Sequence, residues 1–258
     1  MNSLFSVADK VILITGGAQG MGRMIAEGFV RGGARVYISS RKRDVCEETA
    51  RELGAYGQCF ALAAELTTPE AIVALANDFK ARESRLDVLI NNAGRTWGAP
   101  LDSFPDKAWP SVMAVNVQGP FTLIRELLPQ LQAAATAENP ARVLNIGSLA
   151  GVRAERLSAY SYAASKAALH HLSRVLAAEL AERHITVNAV VPGYFPTQMT
   201  AHIRNEDTEI HRLLDRVPLG RLGEADDIAG LCLFLASRAG RYITGSELLL
   251  DGGMAGCR

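Results

Sequence analysis

Short apolar runs rich in Val, Ile and Leu recur along the chain, separated by longer stretches with helical spacing. The runs are KVILIT (10–15), RVYIS (35–39), CFALAA (59–64), LDVLI (86–90), RVLNIG (142–147), ITVNAVV (185–191) and ELLLD (247–251). Most are nearly continuous in apolar residues rather than alternating, which predicts parallel strands covered on both faces. Between them, 20–33 repeats apolar residues at three and four and ends in Gly-Gly, a stop signal. The stretch 67–84 opens with a Thr cap, an early Pro and a first-turn Glu. The stretch 161–184 is Ala- and Leu-rich with basic residues near its end, and 223–237 opens with acidic residues before an unusually apolar run. Strand-helix alternation of this kind predicts a doubly wound, seven-stranded parallel sheet with helices on both faces. No linker, repeat or low-complexity tract divides it, so one domain over 1–258 is expected.

The first strand runs into ITGGAQGMGR, which places Gly16, Gly20 and Gly22 at a strand-turn-helix junction. A turn this tight needs residues tolerant of positive φ, and a pyrophosphate must approach bare backbone at the helix N-terminus, where free N–H groups point outward. The strand-turn-helix context lifts this pattern above a plain glycine-rich turn.

A second cluster is SAYSYAASKAAL, in which Tyr160 and Tyr162 precede Lys166. Lys166 lies four residues beyond Tyr162, so both project from one helix face, whereas Tyr160 is turned elsewhere. A tyrosine hydroxyl can protonate a ketone oxygen once a nearby cation lowers its pKa from about 10 toward the working range. Ser148 stands at the carboxyl end of the fifth predicted strand, where open α/β sheets place ligands.

Taken together, the TGxxxGxG spacing, NNAG at 91–94, Asn116 in VMAVNVQG, Ser148, the YxxxK pair, the PG of VVPGYFPT and the final TGSELLLDGG resemble the short-chain dehydrogenase/reductase family. The marks stand in family order over nearly the whole chain, and within the family the chain is most similar to 3-oxoacyl reductases. The resemblance implies a single-domain Rossmann fold. It also implies a reductase in which Tyr162 is the acid, Lys166 assists it and holds the nicotinamide ribose, Ser148 binds the carbonyl oxygen, and Asn116 helps hold a water. The cofactor wall is then expected at Gly16, Gln19, Gly20, Met21, Gly22, Ser40, Arg41, Glu65, Leu66, Asn92, Ala93, Gly94, Tyr162, Lys166, Pro192, Gly193, Phe195 and Thr197. At the end of the second strand, Ser40 and Arg41 replace the acid of NAD-preferring members; a guanidinium suits a 2′-phosphate, so NADP(H) is expected. Gln19 and Glu65 depart from the commoner residues at their positions.

Substrate contacts are expected from Ser148, Trp97, Leu157, Tyr162, Tyr194 and Met199, and an amphipathic lid over 194–215 carrying Phe195, Ile203 and Leu213. Such a wall suits an apolar ketone. The same groups serve alcohol or sugar oxidation, and a non-catalytic NADP(H) sensor would keep the glycine loop without the tyrosine or lysine.

Charge alters this picture only by exclusion. Lys plus Arg equals Asp plus Glu at 27 each, which leaves no excess to bind nucleic acid or an anionic membrane. Acyl-carrier protein and coenzyme A both remain open as carriers, with Arg125, Arg153 and Arg156 scattered rather than patched. Four dispersed cysteines lack metal-ligand spacing, no metal is expected, and adjacent His170 and His171 read as helix-surface or interface residues. The N-terminal stretch lacks the pattern of a secretory signal, so a cytoplasmic location is expected. The resemblance implies a homotetramer, which the apolar helix following Glu224 would help to pack.

Overall fold

Residues 3–155, 157–197 and 207–257 are described by the structure, a computed structural model. Seven strands form one parallel sheet in the order β3-β2-β1-β4-β5-β6-β7: β1 Val11–Thr15, β2 Arg35–Ser40, β3 Gln58–Ala63, β4 Val88–Asn91, β5 Ala141–Ile146, β6 Ile185–Pro192 and β7 Glu247–Leu250. All seven apolar runs become strands. The order reverses direction between β1 and β4, the switch point that opens a crevice at the carboxyl ends of the strands.

Helices cover both faces. α1 (Gly20–Arg31) and α2 (Arg43–Gly54) follow the first two strands, and α3 (Pro69–Lys80) is capped by Thr68, whose side chain accepts from the Ala71 N–H at 3.3 Å. α4 (Ala108–Met113), a π-helical turn (Ala114–Gln118), α5 (Gly119–Glu126) and α6 (Leu128–Ala134) follow β4. α7 (Tyr160–Leu180) is the long helix predicted from its Ala- and Leu-rich composition. α8 (Asp207–Leu214) and α9 (Ala225–Ala236) precede β7, and a capping box between Glu224 and Asp227 opens α9. Two cores result, one on each side of the sheet: Ile14, Phe29, Ile38 and Ile228 belong to the first, and Leu13, Phe79, Leu89 and Leu176 to the second.

The apolar α9 has a partner in its own chain: it packs on α1 so closely that a Cβ added at Gly28 would stand 2.7 Å from the Ala229 Cβ, while Leu231, Leu233 and Phe234 stay only partly buried. One expectation changes here. His170 is not a surface residue; it is 2% exposed, whereas His171 is exposed.

Candidate active site

The phosphate loop is held from behind by β4's exit. Asn92 Nδ2 donates to the carbonyls of Thr15 (2.9 Å) and Gly16 (3.1 Å), and Thr15 Oγ1 accepts from the N–H groups of Asn92 and Ala93, both at 3.0 Å. Gly16 (φ 65°) and Gly20 (φ 55°) occupy the left-handed region that a side chain resists. At Gly22 a Cβ would lie 2.2 Å from the Gly16 carbonyl oxygen, so the loop can close on the helix only with glycine there.

In front of this loop runs a cleft of about 690 Å³. Its wall contains Gly16, Gln19, Gly20, Met21, Gly22, Ser40, Arg41, Glu65, Leu66, Asn92, Ala93, Gly94, Trp97, Tyr162, Lys166 and Thr197. It also contains residues that the motifs did not single out for this wall: Ser39, Ala64, Thr67, Arg95, Val115, Ile146 and Gly147. Ser39 is notable because its hydroxyl is buried and makes no hydrogen bond among the described residues. The signal for it was the strand end itself, where both of the last two residues reach the crevice.

Several expected residues lie off this wall. The Phe195 side chain lies in the core: it is 2% exposed, and its ring fills the space that a Cβ on Gly223 would need, so only its backbone is left to face a ligand. Pro192 is the last residue of β6, paired with Leu250, and Gly193 lets the chain pass within 2.8 Å of the Asp251 Cα, measured from an added Cβ. The Tyr194 hydroxyl points to Glu155, 3.2 Å away, and Leu157 is an exposed rim residue. Met199, Ile203 and Arg156 lie outside the described residues, as does the middle of the expected lid. Leu213 is buried with Leu149, Val217 and Met254.

At the other end of the cleft, Tyr162 and Lys166 share a face of α7. The Lys166 ammonium stands 5.7 Å from the Tyr162 ring centroid and donates to the Ile146 carbonyl at 2.7 Å. Burial pulls its pKa down to about 8. Tyr162 differs from the expectation of a lowered pKa. Burial pushes its phenol up and outweighs the opposing hydrogen bond from Ser148. The phenol is therefore neutral and carries its proton at neutral pH, the state a general acid requires.

Ser148 is extended (φ −167°, ψ 150°), and its Oγ accepts from the Ala150 N–H at 3.2 Å. Its side chain lies close enough to the Tyr162 phenol to oppose the upward push of burial. Tyr160 faces away and packs edge-on against Phe104, ring centroids 5.2 Å apart.

Asn116 sits inside the π-helical turn, whose extra residue swings its amide inward. Its Oδ1 accepts from the Arg95 N–H (2.8 Å), while Nδ2 donates to the Arg95 carbonyl and to Ser165 Oγ, both 2.9 Å. Ser165 Oγ in turn donates to the Tyr162 carbonyl at 2.7 Å. Both amide protons are thus spent on protein, and Asn116 is a brace between the cleft wall and the tyrosine's helix rather than a water carrier through its amide donors.

A family model described as enoyl-(acyl carrier protein) reductase matches residues 16–255. The chain belongs to the short-chain dehydrogenase/reductase family. It is 47% identical over 253 residues to the rhamnolipids biosynthesis 3-oxoacyl-[acyl-carrier-protein] reductase of Pseudomonas aeruginosa, covering 98% of this chain and 99% of that one. It is 37% identical to a galactitol 2-dehydrogenase (L-tagatose-forming) of Cereibacter sphaeroides, covering 97% of each. Among solved structures it resembles a Pseudomonas aeruginosa RhlG/NADP active-site complex with a TM-score of 0.96, 46% identity and coverage of 98% and 99%.

Proposed function

We propose that this chain is an NADP(H)-dependent reductase of the 3-oxo group of an acyl thioester. The observation that carries the reaction type is the placement of Tyr162 and Lys166 on one face of α7 in the wall of the cleft, the ammonium 5.7 Å from the ring centroid, with Ser148 beside the phenol. A protonated phenol with a serine hydroxyl beside it suits a carbonyl oxygen, on which charge builds as a hydride arrives at carbon. That geometry favours a ketone over the carbon-carbon double bond named in the family description.

The residues present fit the dinucleotide. Bare glycine backbone lines one stretch of the cleft, and the unpartnered Ser39 hydroxyl, Ser40 and Arg41 lie together at the end of β2, where a 2′-phosphate would meet them. When bound, the nicotinamide supplies the hydride. Ser148 holds the substrate oxygen and Tyr162 gives it a proton. Lys166, fixed by the Ile146 carbonyl, keeps positive charge beside the phenolate that remains. The Pseudomonas relative's name supports the substrate class, and its acyl-carrier protein is the carrier we assign. The unpaired cysteines Cys46, Cys59, Cys232 and Cys257 fit a reducing, cytoplasmic compartment.

The test is NADPH consumption against a panel of a 3-oxoacyl thioester, an aryl ketone and a keto sugar, for the wild type and Tyr162→Phe. We expect turnover of the thioester and a loss of at least ~100-fold in kcat on removing the acid, with NADPH affinity retained. Faster turnover of the keto sugar would move the assignment toward the galactitol-type relatives. Retained turnover in Tyr162→Phe would overturn the mechanism.

A further inference from the structure

His170 stands one turn beyond Lys166, so Tyr162, Lys166 and His170 form a single stripe along α7 at intervals of four residues. The imidazole is 2% exposed and lies against the loop that carries Ser148. Its Nε2 accepts from the Ser148 N–H at 3.3 Å. The loop is shaped around the ring: a Cβ on Gly147 would stand 2.1 Å from Nε2, and one on Gly151 would stand 2.9 Å from Cε1. Because Nε2 is the acceptor, Nδ1 carries the ring's proton. Nδ1 makes no hydrogen bond among the described residues but faces the Glu247 carboxylate of β7 at 3.4 Å, and that carboxylate also pairs with Arg174.

We propose that His170 is a positioning residue for the carbonyl-binding serine: as a neutral imidazole it accepts the Ser148 N–H and fixes the loop so that the hydroxyl faces Tyr162. The inference rests on the assignment of Ser148 proposed above. Burial, helped by the Lys166 and Arg174 charges, pushes the His170 pKa down to about 4, so the ring stays in the accepting form at neutral pH. An apolar residue of similar size fills the space but leaves the half-buried Ser148 N–H without its acceptor. The loop then shifts to find one. A shift of an ångström at a reacting group can cost up to ~100-fold in rate.

The test compares His170→Leu, which removes the acceptor, with His170→Gln, whose side-chain oxygen replaces it. Each is made in the wild type and in Ser148→Ala. We expect Ser148→Ala to lower kcat by ~100-fold, as loss of one carbonyl-binding donor does. His170→Leu should lower kcat by ~10-fold with KM for NADPH unchanged, and His170→Gln should recover most of that loss. Neither histidine change should lower the residual kcat of Ser148→Ala further, since groups acting through one another are non-additive. If the leucine variant does not fold, His170→Asn, with an oxygen too short to reach, takes its place. Equal losses from the Leu (or Asn) and Gln variants would overturn the proposal. So would the same loss persisting in the Ser148→Ala background, or wild-type kcat in the Leu variant beside an impaired Ser148→Ala. An unimpaired Ser148→Ala would instead overturn the role of the serine, and this inference with it.

Discussion

The two ends of the cleft are held by different means. Around the phosphate loop, the main chain itself is what is held: Asn92 Nδ2 and Thr15 Oγ1 bond only to backbone groups, the Gly17 N–H donates to the Ser39 carbonyl of β2, and side chains are excluded at Gly16 and Gly22. Around the substrate rim, side chains bridge segments distant in sequence. Glu155, its side chain only 3% exposed, accepts from the Tyr194 hydroxyl at 3.2 Å and from Arg216 at 2.8 Å, joining the serine-tyrosine loop to the exits of β6 and α8. Arg153 reaches the Met254 carbonyl from the same loop. A bare-backbone site recognises a ligand common to many enzymes and tolerates almost no change. A rim of bridging side chains is replaceable piece by piece, which suits the end where substrates differ.

If so, substitutions at the two ends should separate binding of cofactor from binding of substrate. The largest effect is expected from Gly22→Ala. Its Cβ would overlap the Gly16 carbonyl, and overpacking of this kind costs ~1–3 kcal/mol. We expect the upper end of that range, read as a lower urea midpoint and a rise of at least ~10-fold in the NADPH Kd from fluorescence titration. An unchanged Kd would erase the contrast. Glu155→Gln comes next. It takes the charge from a buried acceptor beside Arg216, a partner 43% exposed, so the loss should stay near ~1–2 kcal/mol. KM for the 3-oxoacyl substrate should rise several-fold while NADPH affinity holds. A rise confined to NADPH would reverse the assignment of the rim. The smallest change belongs to a site outside both ends. Gly230 lies exposed inside α9 with nothing within 4 Å of an added Cβ, so Gly230→Ala should stabilise by ~0.5–1 kcal/mol, seen as a Tm higher by ~2 °C with kinetics unchanged.

Legibility in the sequence follows the same division. The strands were visible because burial on both faces makes them continuously apolar, and the phosphate loop was visible because Gly16, Gly20 and Gly22 stand in one short stretch after the first strand. The YxxxK pair could be read from helix geometry alone. The network from Glu155 to Tyr194 and Arg216 spans the chain and carries no spacing rule. Phe195 stood beside cleft residues in sequence, yet its apolar ring turned into the core under Gly223. The inserted residue of the π-helical turn cannot be seen in a pattern that assumes a regular helix, and without it the Asn116 amide has no evident target. His170 was misread because an adjacent histidine pair looks like a polar surface, whereas its place on the Tyr162–Lys166 stripe was the better guide. The direction of the Tyr162 pKa depended on how deeply the phenol is buried, which no sequence supplies.

The contact between Glu247 of β7 and His170 of α7 has a consequence for the reach of distant substitutions. The glycine loop and the brace behind it use residues no later than Gly94. The serine loop rests on a histidine that faces a carboxylate of the last strand, and Arg153 of that loop bonds Met254. A change between residues 247 and 254 therefore touches the wall behind Ser148 without touching the glycine loop.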